Sequence, residues 1–238
     1  MNHSLQTIPL INLAFAFIPV AITLLILYRW SLQAKNAVYA VVRMLVQLLL
    51  IGYVLAYIFE VNHAAIILLI LLIMILASSW IALRTVESRR HALFKYAFVS
   101  IVIGGGLTLA LVTQLVLTLD PWYAPQAVIP LAGMIFANAM NSVSLAAERL
   151  NAEIERGAEY CKARNIALQS SLIPVMNALF AVGLVSLPGM MTGQILSGVS
   201  PLVAARYQIM VMLMIFGAAG IATACFLVLS RKVFVKED

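Results

Sequence analysis

Long apolar runs, interrupted by short polar stretches, make up almost the whole chain. Each run is roughly 20 residues long, which suits a hydrocarbon core about 30 Å thick. Apolar and polar positions do not alternate with a period of two, so the pattern predicts membrane-spanning helices and not barrel strands. We place seven spans, at about 8–28, 37–59, 64–83, 96–117, 128–146, 175–197 and 207–229.

Composition supports the same class of protein. Charged residues make up 10% of the chain and hydrophobic residues 64%, whereas soluble proteins average about 25% charged and 45–50% apolar residues. We therefore predict an all-α, polytopic membrane protein whose residues 1–238 form a single transmembrane domain. Because the loops are short, no soluble domain is expected.

Basic residues are concentrated in alternate loops. The loops after the first, third, fifth and seventh spans contain Arg29, Lys35, Arg84, Arg89, Arg90, Lys95, Arg149, Arg156, Lys162, Arg164, Arg231, Lys232 and Lys236. The opposite loops contain only Arg206. The positive-inside rule then predicts an outer N-terminus and a cytoplasmic C-terminus. It also explains the net charge of +6 without a nucleic-acid partner.

The longest predicted cytoplasmic segment is 148–171. Leu150, Ile154 and Ala158 recur at helical spacing, and Glu153/Arg156 and Glu159/Lys162 are opposite charges three residues apart. These patterns predict a helix that extends the fifth span, with a bend at Gly157. A short amphipathic stretch then leads to Pro174, where we expect the sixth span to start.

The sixth span has an unusual centre. Pro188 and Gly189 interrupt it, and Thr192 and Gln194 are polar. Broken membrane helices with polar groups often line a pathway, so we interpret Pro188–Gly189 as a hinge or gate. Met190 and Met191 would form its apolar plug; thioether ligation of a soft metal is the alternative, although methionine is also a common apolar filler.

Other spans also contain polar side chains. Arg43 and Gln47 share a face of the second span and either contact cargo or, for the arginine, reach the interface. Asn138 and Asn141 lie in a fifth span that we expect to start with Pro130, and these amides serve either a pathway or helix packing. Asn177 in the sixth span is a further pathway candidate.

Two small-residue stretches favour close helix packing, namely Gly104–Gly106 and Gly217–Ala224. The sequence contains no phosphate-binding loop of the G-x-x-x-x-G-K-[ST] type, no metalloprotease motif and no serine-nucleophile motif. We therefore expect no enzymatic activity, no bound cofactor and no assigned metal ligand in this chain.

Three longer stretches resemble the signature sequences of the FetB (YbbM) family. They are VVRMLVQLLLIGYVLAYIF at 41–59, AVIPLAGMIFANAMNSVSLAAERL at 127–150 and AVGLVSLPGMMTGQILSGVSPLVAARYQIMV at 181–211. Members of this family are membrane halves of ABC transporters associated with iron export. Related plant proteins are aluminium-tolerance permease halves, linked to UDP-glucose transport.

The resemblance implies a permease of the bacterial inner membrane that forms a homodimer and pairs with a separate FetA-like ATPase. ATP and Mg would bind to that partner. A docking helix at about 156–167 is expected, and the residues implied in ATPase coupling are Glu153, Arg156, Gly157, Glu159, Tyr160, Lys162 and Arg164. Iron or a related metal is the implied cargo; the alternatives are a non-metal cargo such as UDP-glucose, or an ion-gradient-driven secondary transporter.

Overall fold

A computed structural model describes residues 9–59 and 63–234. Ile8, at the predicted start of the first span, and Lys236, in the basic C-terminal tail, lie outside these ranges. The chain divides into two compact units, Met1–Val61 and Asn62–Asp238.

Residues 9–59 of the first unit form three helices, α1 (Leu10–Phe15), α2 (Phe17–Arg29) and α3 (Ala34–Phe59). A tight turn joins α2 to α3, and in this turn Ser31 has a φ of 55°. The stretches Ile11–Arg29 and Ala34–Val54 are long and apolar enough to cross a membrane, and neither is buried within the structure. These two stretches match the first two predicted spans.

The second unit is built from eight α-helices and shorter helical turns among the described residues. In chain order they are α4 (Ala64–Ala82), a 3-10 segment (Leu83–Arg89), α5 (Arg90–Ile101), a π-helical turn (Val102–Gly106), α6 (Leu107–Leu111), a second π-helical turn (Val112–Val116), α7 (Pro125–Glu155), α8 (Tyr160–Ala181), α9 (Gly189–Leu196), α10 (Pro201–Leu229) and α11 (Arg231–Phe234). The all-α prediction is confirmed.

The core of the second unit lies between α7 and α10, which pack on each other and on α8. Phe136 of α7 and Phe226 of α10 are almost completely buried. A Cβ atom on Gly104 would lie 2.4 Å from the backbone nitrogen of Ala222, and one on Gly105 would lie 2.8 Å from the Phe136 ring. The close helix packing predicted for Gly104–Gly106 is therefore confirmed at these two glycines, with Gly104 against Ala222 of α10 and Gly105 against Phe136 of α7.

The predicted sixth span is not one helix. Its first part is the end of α8, and its last part is α9, which is only 8 residues long. Residues 182–188 between them are not helical. Five stretches of the described chain are long and apolar enough to span a membrane, and one of them, Ala64–Val116, includes the third and fourth predicted spans.

Two proline-based predictions of helix starts are wrong. Pro130 lies inside α7, which begins at Pro125, and Pro174 lies inside α8, which begins at Tyr160. Both internal prolines are exposed. A proline removes one backbone hydrogen bond, and in long apolar helices neighbouring groups and local adjustment make this loss tolerable. A proline is thus a weaker boundary signal here than in a soluble protein.

Candidate functional site

The turn between α7 and α8 is defined by backbone hydrogen bonds around Gly157. The N–H of Ala158 donates to the carbonyl of Glu153 at 3.0 Å, and the N–H of Gly157 donates to the carbonyl of Ile154 at 2.9 Å. This pair of bonds is the Schellman arrangement that ends many helices. Gly157 has a φ of 82°, a conformation that glycine adopts without a steric penalty. The predicted bend at Gly157 is confirmed.

The Glu153 side chain, near the end of α7, is shielded from solvent. Its side chain is only 12% exposed and lies 2.9 Å from Arg149 and 3.1 Å from Arg156. The predicted Glu153/Arg156 pair is present, and Arg149 is a second partner that the sequence analysis missed. Two arginines on one shielded carboxylate fix the last turn of α7, because removing either leaves a partly buried charge less well compensated.

Tyr160 also points inward. It is 7% exposed, its hydroxyl donates a hydrogen bond to the carbonyl of Leu227 in α10, and the Arg231 guanidinium carbon lies 5.9 Å from its ring centroid. Burial raises the pKa of the phenol above its ordinary value of 10.0. Tyr160 is therefore a neutral hydrogen-bond donor at physiological pH and has little surface to offer a partner.

The exposed face of the turn is small. Arg156, Gly157, Glu159 and Lys162 are exposed, and Arg164 is half-buried beside Asn165. The predicted docking helix at 156–167 is wrong as a single helix, because 156–159 forms the turn and only the remainder belongs to α8. Glu159 precedes α8 with extended backbone, so the predicted Glu159/Lys162 pair does not form on one helical turn.

Neighbouring elements at the same end of the unit are tied together. Arg89 of the 3-10 segment donates to the carbonyl of Val233 at 3.1 Å, and its guanidinium carbon lies 4.9 Å from the ring centroid of Phe234. The Thr85 hydroxyl donates to the carbonyl of Ser144 in α7 at 3.4 Å. The end of the bundle that the charge pattern assigns to the cytoplasm is thus a connected set of helix ends.

The break after α8 is wider, and starts earlier, than the predicted hinge. α8 ends at Ala181, and Gly183, with a φ of 82°, donates to the carbonyl of Ser186 at 3.0 Å. Pro188 is the N-cap residue of α9, and its carbonyl accepts hydrogen bonds from the Thr192 N–H at 3.0 Å and the Thr192 hydroxyl at 3.2 Å. Gly189 is the first residue of α9.

Met190 of α9 lines a cavity of about 400 Å³ together with residues of α7 and α10, including Met134, Tyr207 and Met210. Met191 is half-buried. Gln194 has a buried side-chain oxygen that accepts no hydrogen bond from the described residues. Three predicted gate residues and two predicted pathway residues therefore lie on a short helix that packs on α10, namely Gly189, Met190, Met191, Thr192 and Gln194.

The remaining pathway candidates belong to both units. Arg43 and Gln47 are exposed on α3 in the first unit. In the second unit, the Asn138 amide donates to the carbonyl of Met134 in its own helix at 2.8 Å, which agrees with a packing role. Asn141 and Asn177 are exposed.

Gln208 is a polar residue that the sequence analysis missed. It is 5% exposed on α10, and its side-chain oxygen accepts no hydrogen bond from the described residues. The signal in the sequence is an amide side chain within an apolar run. The predicted seventh span starts at about residue 207, so Gln208 was placed at its edge. Because α10 begins at Pro201, Gln208 lies about two turns inside the helix.

Acidic and metal-binding side chains are dispersed in this structure. Within residues 9–59 and 63–234, no three His, Cys, Asp or Glu side chains lie close enough together to hold a metal ion. Apart from Arg43, the polar side chains on the candidate pathway are amides and hydroxyls, which bind by hydrogen bonds.

Residues 10–235 match the uncharacterised protein family UPF0014. The probable iron export permease protein FetB of Escherichia coli is 36% identical and covers 91% of this chain and 89% of its own length. The UPF0014 membrane protein slr1647 of Synechocystis sp. is 38% identical over 73% of each chain. The UPF0014 membrane protein STAR2 of Oryza sativa subsp. japonica is 34% identical over 88% of this chain and 77% of its own.

No solved structure matches the chain. The family match extends over both structural units and includes the α7–α8 turn and the broken segment before α9. Several long apolar helices fit the membrane proteins among these relatives. The chain is a multi-pass membrane protein and belongs to the UPF0014 family.

Proposed function

We propose that this chain is the membrane-spanning subunit of an ATP-driven exporter of iron or a related metal species in the bacterial inner membrane. The observation that carries the proposal is the similarity, over 91% of this chain, to a protein described as a probable iron export permease. ATP and Mg bind to a separate FetA-like ATPase, and two copies of the present chain form the permease. This chain carries no cofactor and performs no enzymatic step.

The α7–α8 turn supports the assignment of an ATPase partner. Arg156, Glu159 and Lys162 are exposed there, beside a helix end fixed by the Arg149–Glu153–Arg156 ion pairs. A rigid turn with exposed charges of both signs is suited to docking in a groove of another protein. The ATPase contacts the exposed residues, whereas Glu153 and Tyr160 act from inside the subunit.

The broken segment supports a gate. Residues 182–188 join α8 to a short helix that places Met190 against α7 and α10. Pro188, Gly189, Met190 and Met191 form the gate in this proposal, and Thr192 and Gln194 provide polar groups beside it. Arg43, Gln47, Asn138, Asn141 and Asn177 are the other proposed pathway residues.

A non-metal cargo such as UDP-glucose is the second candidate. The observation in its favour is that Asn141, Asn177 and Gln194 offer amides, which hydrogen-bond to hydroxyl groups. Iron favours oxygen ligands such as carboxylates. An ion-gradient-driven transporter would use ionisable groups within its spans, and the candidate for that role is Arg43.

The test is reconstitution of the chain with its ATPase in proteoliposomes. We expect ATP-dependent movement of iron, measured as radiolabelled metal and compared with labelled UDP-glucose in parallel vesicles. A hydrolysis-deficient ATPase is the matched control. Failure of the tagged chain to retain any ATPase on purification, or transport unaffected by loss of ATP hydrolysis, would contradict the proposal; movement of UDP-glucose alone would change only the cargo.

A further inference from the structure

The start of α8 and the end of α10 meet at Tyr160. This residue is the first of α8 and follows the α7–α8 turn directly, whereas its hydrogen-bond acceptor, the Leu227 carbonyl, belongs to the last turn of α10. The last four carbonyl groups of a helix have no partner within that helix. The Tyr160 hydroxyl therefore satisfies a carbonyl that α10 cannot satisfy itself.

Burial and a neighbouring arginine stabilise the contact between Tyr160 and Leu227. Leu227 is 1% exposed and Tyr160 is 7% exposed, so water does not readily replace the hydroxyl. The small buried residues Ala163 and Ala167, on the same face of α8, lie in the interior of the unit. Arg231 lies against the Tyr160 ring from the segment that follows α10. The side chain is thus held by both its ring and its hydroxyl.

The two helices joined by this hydrogen bond, α8 and α10, lead towards α9 in different ways. α8 ends at Ala181 and is followed by the non-helical residues 182–188, whereas α10 continues over 29 residues from Pro201 to Leu229. α10 also packs on α9, and its residues Tyr207 and Met210 line the cavity that Met190 lines. An unbroken helix transmits an axial displacement more directly than a helix followed by a loop.

We propose that Tyr160 is a positioning residue that transmits movement of the α7–α8 turn to α10, and through α10 to the gate helix α9. This inference rests on the proposed function. It assigns Tyr160 a role inside the subunit, in place of direct contact with the ATPase. The hydroxyl is the essential group, because it alone bonds to the end of α10.

The test is Tyr160→Phe in the complete complex with its ATPase in proteoliposomes. The variant keeps the buried ring and removes only the hydroxyl. We expect ATP hydrolysis within about twofold of wild type and transport per ATP lowered about fivefold, the scale that corresponds to one lost hydrogen bond. The matched control is Tyr53→Phe, since Tyr53 is 77% exposed on α3.

Hydrogen–deuterium exchange gives a second measurement on the same complex. Tyr160→Phe should increase exchange in the last turn of α10 and leave α4 unchanged. An unchanged ratio of transport to ATP hydrolysis, or an equal loss of both, overturns the role of Tyr160. Wild-type vesicles without ATP-dependent transport overturn the proposed function itself, and the role of Tyr160 with it.

Discussion

Gly104 and Gly106 are two residues apart in one π-helical turn, yet their surroundings differ. A Cβ on Gly104 would lie 2.4 Å from the backbone of Ala222, whereas a Cβ on Gly106 would meet no atom within 4 Å. The obstacle at Gly104 is main chain of α10, which cannot rotate away as a flexible side chain can. Gly104 therefore sets how closely the two helices approach, and Gly106 does not.

We expect Gly104→Ala to destabilise the protein by about 1–3 kcal/mol, the usual scale for overpacking. Gly106→Ala should be neutral or stabilising by up to about 1 kcal/mol, because alanine favours helix over glycine. Thermal unfolding of both variants in the same detergent measures the difference. Equal melting temperatures for the two variants would show that α10 does not depend on this close contact.

The segment between α8 and α9 depends on its own turn and not on Pro188 alone. Gly183, five residues before Pro188, has a φ of 82°. Its N–H donates to the carbonyl of Ser186, and this hydrogen bond closes the turn. Pro188 then initiates α9 as its N-cap residue. The break therefore has two parts, a glycine that turns the chain after α8 and a proline that begins α9.

Gly183→Ala should strain this turn by about 1–2 kcal/mol, since an L-residue with a side chain disfavours the left-handed conformation. We expect faster hydrogen exchange at residues 182–188 and reduced transport, with assembly intact. Gly193→Ala is the matched control, because that glycine lies within α9 and a Cβ atom there would meet no atom within 4 Å. The same exchange rates in both variants would exclude Gly183 as a determinant of the break.

The distribution of charge over the full chain predicts its orientation. The basic residues Arg89, Arg156 and Arg231 come from three different segments, and contacts near the helix ends hold each of them. In the second unit, a single end of the bundle carries them. The positive-inside rule assigns this end to the cytoplasm.

The two cysteines allow a direct test of orientation. Cys161 is exposed in the first turn of α8, and Cys225 is half-buried in α10. We expect a membrane-impermeant maleimide to label inside-out vesicles but not intact spheroplasts, and Cys161→Ser to abolish most of the labelling. Strong labelling of intact spheroplasts through Cys161 would reverse the predicted orientation.

Local features of the site followed from single residues. The bend at Gly157 was predicted because glycine interrupts an amphipathic pattern, and the break near Pro188 because proline interrupts an apolar run. The break was misplaced because the turn at Gly183 depends on a left-handed backbone conformation, which glycine permits but does not require. The glycine and the proline in this stretch therefore indicated that the helix would be interrupted, whereas the hydrogen bonds of 182–188 determine where α8 ends.

The sequence alone determined the class of protein and most of its helices, because lipid requires backbone hydrogen bonds to be satisfied within long apolar helices. It did not reveal that Glu153 and Tyr160 face inward or that Gln208 is buried. Those facts depend on which side of α7, α8 and α10 meets its neighbours. A charge or hydroxyl near a helix end has the same local pattern whether it contacts water, a partner or another helix, and only packing distinguishes these cases.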